Sequence, residues 1–159
     1  MANWPERIAI QDDEFRRSAG ELWRNFKLAC ETIVDSYNQI YETRQNRQFE
    51  VVNGEPAGDN CFRVRYNVPP GSTERHVEAR FTPERKRVSF LKFPSGTVPG
   101  QPLMPTEVTV IPNGQGGLGF TSGATLVSID DLTQSVLSPL FFPAGIRPEP
   151  IHPPRPVER

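Results

Sequence analysis

Between Asp12 and Arg47 the apolar residues recur with helical spacing. Phe15, Ala19, Leu22, Trp23, Phe26, Ala29, Cys30, Ile33, Val34, Tyr37, Ile40 and Tyr41 fall within an arc of about 140° at 100° per residue. Leu28 alone lies on the opposite face. No proline interrupts the run, and its stripe is wide for a two-stranded coiled coil but suits a helix laid on a sheet. Asp12 or Asp13 could cap the start, or Ser18 could, with Glu21 completing a capping box; Gly20 weakens the first turns. A helix of roughly 29 to 35 residues would measure about 43–53 Å. That exceeds the width of most small sheets, so one end is expected to project or to meet a second subunit.

After Arg47 the period changes to two. "CFRVRYNV" sets Phe62, Val64, Tyr66 and Val68 against Cys61, Arg63, Arg65 and Asn67, and "HVEARFT" sets Val77, Ala79 and Phe81 against His76, Glu78 and Arg80. Such alternation predicts antiparallel strands with one face buried and one wet. "NGEPAGDN", "PPGST" and "TPER" supply turns between strands 48–53, 60–68, 75–82 and 86–93. Links this short predict a meander. Strand 86–93, "KRVSFLKF", alternates less cleanly. Residues 94–106, with four prolines and two glycines, read as a surface crossover or flap, and "EVTVI" (107–111) resumes strand.

Gly114-Gln115-Gly116-Gly117-Leu118-Gly119 spells G-x-G-x-x-G. A dinucleotide loop needs a helix N-terminus directly after those glycines. "LGFTSGATLV" is poor helix sequence, and no Lys-Ser/Thr follows. The glycines are expected to form a hairpin tip and a short bulged strand. Next, Ser128 with Asp131 predicts a helix N-cap, Val127 and Leu132 sit at staple positions, and Pro139 should stop the helix at Ser138. "LFF" (140–142) then needs a place to pack.

The fold expectation is an α+β domain over residues 1–142. A long N-terminal helix covers one face of a curved antiparallel sheet of six or seven strands, and a short C-terminal helix follows. Residues 143–159 would be a proline-rich extended or disordered tail. With 36% hydrophobic and 23% charged residues, a chain of this length is polar but able to bury a core. It has no secretory h-region and no run long enough to cross a bilayer, so a cytoplasmic location is the default expectation.

Composition argues against several chemistries. Cys30 and Cys61 are the only cysteines, and His76 and His152 the only histidines, too few for a zinc site or disulfide framework. "DDE" (12–14) and Asp130-Asp131 lack the spaced ligands of a calcium loop. Cys30 lies in the apolar stripe, and Cys61 has no orienting partner or oxyanion hole in view. We therefore expect no catalytic residues, metal or cofactor. Residues 60–93 carry eight Lys/Arg against three Glu, a local +5 in a chain of net charge −1. Arg63, Arg65, His76, Arg80, Lys86 and Arg87 are candidates to hold an anion or nucleic acid. The ordinary alternative is a solvated outer sheet face with its aromatics turned inward. In the tail, Arg147, Pro150 and Pro153 fit R-x-x-P-x-x-P, while Pro150, Pro153 and Arg155 fit P-x-x-P-x-R. Both are ligand patterns for SH3-type grooves, although any proline-rich tail with arginines matches by chance. No motif is specific enough to assign a family. The leading functional expectation is a non-enzymatic interaction or scaffolding module, binding a protein or itself through the long helix, the Leu28 side or the tail. Anion or nucleic-acid binding is the alternative. A third is a small-ligand site between sheet and helix under the 94–106 flap.

Overall fold

The computed structural model describes residues 3–41, 49–54, 58–66, 75–93 and 104–142. Helix α1 (Trp4–Tyr41) is followed by β1 (Phe49–Asn53), β2 (Cys61–Tyr66), β3 (His76–Thr82), a 3-10 turn (Pro83–Arg85), β4 (Arg87–Phe93), β5 (Glu107–Pro112), β6 (Leu118–Ser122), β7 (Thr125–Val127) and α2 (Ile129–Phe141). The seven strands form one antiparallel sheet in sequential order. This is the α+β meander that the change of period predicted.

The long helix begins earlier than expected. Asn3, rather than Asp12, Asp13 or Ser18, caps it. Its side-chain oxygen accepts the Glu6 amide at 3.0 Å, and its amide nitrogen donates to the Glu6 carboxylate at 3.4 Å. Pro5 falls in the first turn, where a missing N–H costs no helical hydrogen bond. The 38 residues of α1 run for about 57 Å. Gly20 does not break it. The predicted end at Arg47 lies outside the described residues, as do 94–103 of the flap and the tail 143–159.

The central turns of α1 lie on the sheet through aromatic packing. Phe26 is fully buried, with the rings of Phe62, Phe90 and Phe120 each 5.9 Å away. Trp23 stacks on Phe81 at 5.5 Å and donates its indole N–H to the Asp59 carbonyl at 3.2 Å. Further along, buried Asn38 exchanges two hydrogen bonds with the backbone of Phe49, at 2.7 and 3.1 Å. A side-chain amide there extends the first strand's bonding and fixes helix to sheet.

Helix α2 starts at Ser128, whose hydroxyl accepts the Asp131 amide at 3.0 Å, and packs beside α1 on the sheet. It does not stop at Ser138. Pro139 lies inside it, and the last turn reaches Phe141. Proline forfeits one backbone bond, but Leu140 and Phe141 gain burial: Phe141 stacks on Tyr37 at 4.3 Å and lies 4.9 Å from Phe49. Arg75 holds that turn from the sheet side. Its guanidinium donates to the Leu140 carbonyl and sits over the rings of Phe49 and Tyr66, at 5.5 and 5.3 Å. A cation at the C-terminal end of a helix also meets the favourable end of its dipole. "LFF" is thus packed within the chain, with Phe142 half-buried.

Candidate interaction surface

The strand register shows why the basic segment is not a bare cationic face. On the outer surface one row runs Val52, Arg63, Glu78, Leu91, and the next Glu50, Arg65, His76, Phe93. Arg65 pairs with Glu50. Glu78 lies between Arg63 at 4.0 Å and Arg80 at 3.5 Å, and Arg87 pairs with Glu107 at 3.2 Å. Four arginines therefore meet three glutamates, two of them contributed by β1 and β5, outside the 60–93 segment. Arg63, Arg65, His76 and Arg80 do share a face, as the alternation predicted, but His76, Glu78 and Cys61 on it are buried rather than wet. Phe93 stacks on His76 at 4.6 Å, so an aromatic does stand on this face. The imperfect alternation of "KRVSFLKF" hid it. Lys86 is elsewhere: in left-handed backbone (φ 54°) at the β3–β4 turn, its ammonium 4.8 Å from the Phe15 ring.

The glycine corner is a hairpin tip. Gly114 and Gly116 have φ of 79° and 84°, and Asn113 accepts the amides of Gln115 and Gly117 at 2.8 and 3.2 Å. The expected bulge is absent, because β5 and β6 pair continuously from Thr109–Thr121 to Pro112–Leu118. A depression of about 320 Å³ adjoins this corner and the start of α2. That helix start carries Asp130 and Asp131, and its Asp131 amide is already held by Ser128, so it opposes a phosphate electrostatically.

The thiol in the core is unsuited to nucleophilic chemistry at neutral pH. Burial pushes Cys30 up to about 12, and a hydrogen bond with Thr133 offsets only part of that. Tyr37 is likewise pushed up to about 12 by burial, against the pull of Arg75. Among the described residues no three of His, Cys, Asp and Glu gather in metal-binding reach, and no helix is long and apolar enough to cross a membrane.

Among the described residues, two apolar features lie on the helices. The first is the N-terminal part of α1. Residues 3–14 are exposed throughout, and burial begins only at Phe15 and Ala19. Trp4 and Ile8 nevertheless occupy the same 140° stripe as Trp23 and Phe26, by the helical spacing of about 100° per residue. They are 67% and 47% exposed. The core stripe therefore continues for three turns past its core. These turns extend beyond the β3–β4 turn, to which Phe15 is tied through Lys86.

The second feature is a groove between α1 and α2. Ile33, Leu137, Phe141 and Phe142 line a depression of about 490 Å³ with Asp130 at its rim. Ile33 and Asp130 also line an adjoining one of about 340 Å³, which reaches Leu28 and Ala29. Leu28, predicted to be the outlier, is 59% exposed. Arg147, Pro150, Pro153 and Arg155 lie outside the described residues. The sequence reading missed Trp4 and Ile8 because it began the helix too late; Asn3-Trp4-Pro5-Glu6 was the available signal, a cap and box partner three residues apart. Compared with protein-family models, curated proteins and solved structures, the chain matches none.

Proposed function

We propose that this chain is a non-enzymatic interaction module that associates with further copies of itself through the projecting turns of α1. The observation that supports this most directly is the exposure of Trp4 and Ile8 on a stripe whose Ala19, Trp23, Phe26, Cys30, Val34 and Tyr37 are buried. A tryptophan and an isoleucine held by a capped helix lose little entropy on docking, and rigid aromatic anchors are typical of binding hot spots. Burying both side chains is worth about 1.5–3 kcal/mol each. Even with the partner surface that they cover, contacts of that size exceed the cost of association only narrowly, so self-association is expected to be weak, with a constant on the order of 100 µM or above.

Sedimentation velocity between about 5 and 500 µM, a range bracketing that constant, tests the reading. The average mass should rise with concentration, and Trp4→Gln/Ile8→Gln should abolish the rise without changing far-UV circular dichroism. A monomer across the whole range, or an unchanged double variant, would refute it.

A further inference from the structure

We infer that the surface receiving the projecting turns is the α1–α2 groove of a second copy. This rests on the self-association proposed above and adds the identity of the acceptor. A chain's own Trp4 cannot reach its own groove. Trp4 and Ile33 are 29 residues apart on one unbroken helix, or about 43 Å. The groove has an apolar floor of Ile33, Leu137, Phe141 and Phe142 with polar residues at its edge, the arrangement of a small interface core and rim. Its volume of about 490 Å³ can admit an indole together with a neighbouring aliphatic side chain.

The charges also match. Arg7 lies about 60° from Trp4 around the helix, and Asp130 stands at the groove rim. Neither forms an ion pair among the described residues, where the carboxylate–arginine pairs lie on the sheet face. Docking Trp4 and Ile8 into the groove would bring the two charges to the same edge of the contact. Pairing two projecting helices with each other would instead leave the groove empty.

Donor and acceptor are different patches, and every copy offers both halves. Two copies can therefore exchange their projecting turns about a two-fold axis, or the contact can propagate as an open chain or ring.

The test uses two full-length variants, each lacking one half. Trp4→Gln/Ile8→Gln lacks the donor, and Ile33→Lys, at a 43% exposed position, blocks the acceptor and presents a cation to Arg7. Each alone should self-associate at least tenfold more weakly than wild type. Mixed in equal amounts, they retain one intact donor and one intact acceptor, so they should form a one-to-one pair that neither variant forms alone. A charge exchange supplies an independent variant should Ile33→Lys fold poorly: Arg7→Asp and Asp130→Arg each weaken association, and the two together restore it. If Ile33→Lys associates like wild type, the groove is not the acceptor although self-association stands. If wild type is monomeric throughout, the broader proposal fails first.

Discussion

Phe26→Ala measures how firmly the long helix is seated. Phe26 is fully buried where α1 crosses the sheet, and three sheet phenylalanines surround it at 5.9 Å. Losing the transfer free energy of the ring costs about 2–3 kcal/mol. The Phe90 and Phe120 contacts are edge-on, at 69° and 72°, and two such pairs add roughly 0.5–1 kcal/mol each. The sum, about 3–5 kcal/mol, matches the usual range for Phe→Ala in a core. With a urea m-value of about 2 kcal/mol/M, the midpoint should fall by roughly 2 M. Equilibrium unfolding followed by Trp23 fluorescence and far-UV circular dichroism would read this, with the m-value unchanged. Trp4→Ala/Ile8→Ala is the control on the same helix: both positions are exposed, so its cost should stay within about 0.5 kcal/mol per site. A Phe26→Ala cost below about 1 kcal/mol would refute the packing of α1 on the sheet.

Two further outcomes follow from groups in the same core. The Cys30 thiol, raised from 9.0 to about 12, and the Tyr37 phenol, raised from 10.0 to about 12, contribute stability that is complete below pH 9 and lost as pH rises toward 12. Urea midpoints should therefore fall between pH 9 and 10.5, and less steeply in Cys30→Ala; equal slopes in the two proteins would rule out the thiol's part. Arg75→Met removes a charge-assisted bond to α2 and a cation over two rings, about 2 kcal/mol, or roughly 4–8 °C in Tm for a chain of this size. Arg75→Lys should recover less than half, since an ammonium cannot lie flat between Phe49 and Tyr66; a Tm shift under about 1 °C in Arg75→Met would show that α2 is held without it.

Strands were legible in the sequence because alternation and turn chemistry are local. The observed bounds of β2, β3, β4 and β5 lie within two residues of the reading at either end. Helix ends were less so, because each was settled by a contact the periodicity does not encode. Asn3 caps three turns that touch no core, and Pro139 is tolerated because Leu140 and Phe141 pack on Tyr37 and Phe49 from other elements. The charge pattern was incomplete for a related reason. Counting along residues 60–93 omits Glu50 and Glu107, which register alone brings beside Arg65 and Arg87. The groove was not legible at all, since it exists only where α2 docks against α1. What could be anticipated was the surplus length of the helix.

The sequential strand order has a consequence for synthesis. Every ladder joins neighbours in the chain, so the sheet can assemble as it emerges, while the rod it must cover is made first. About 100 residues separate the end of α1 from the end of α2, which at 5–20 residues per second leaves the stripe bare for about 5–20 s on the ribosome. Until the strands carrying Phe81, Phe90 and Phe120 are made, a nascent copy offers Trp23 and Phe26 to any chaperone or neighbouring polysome product in reach. In the finished protein Trp4 and Ile8 retain that stickiness.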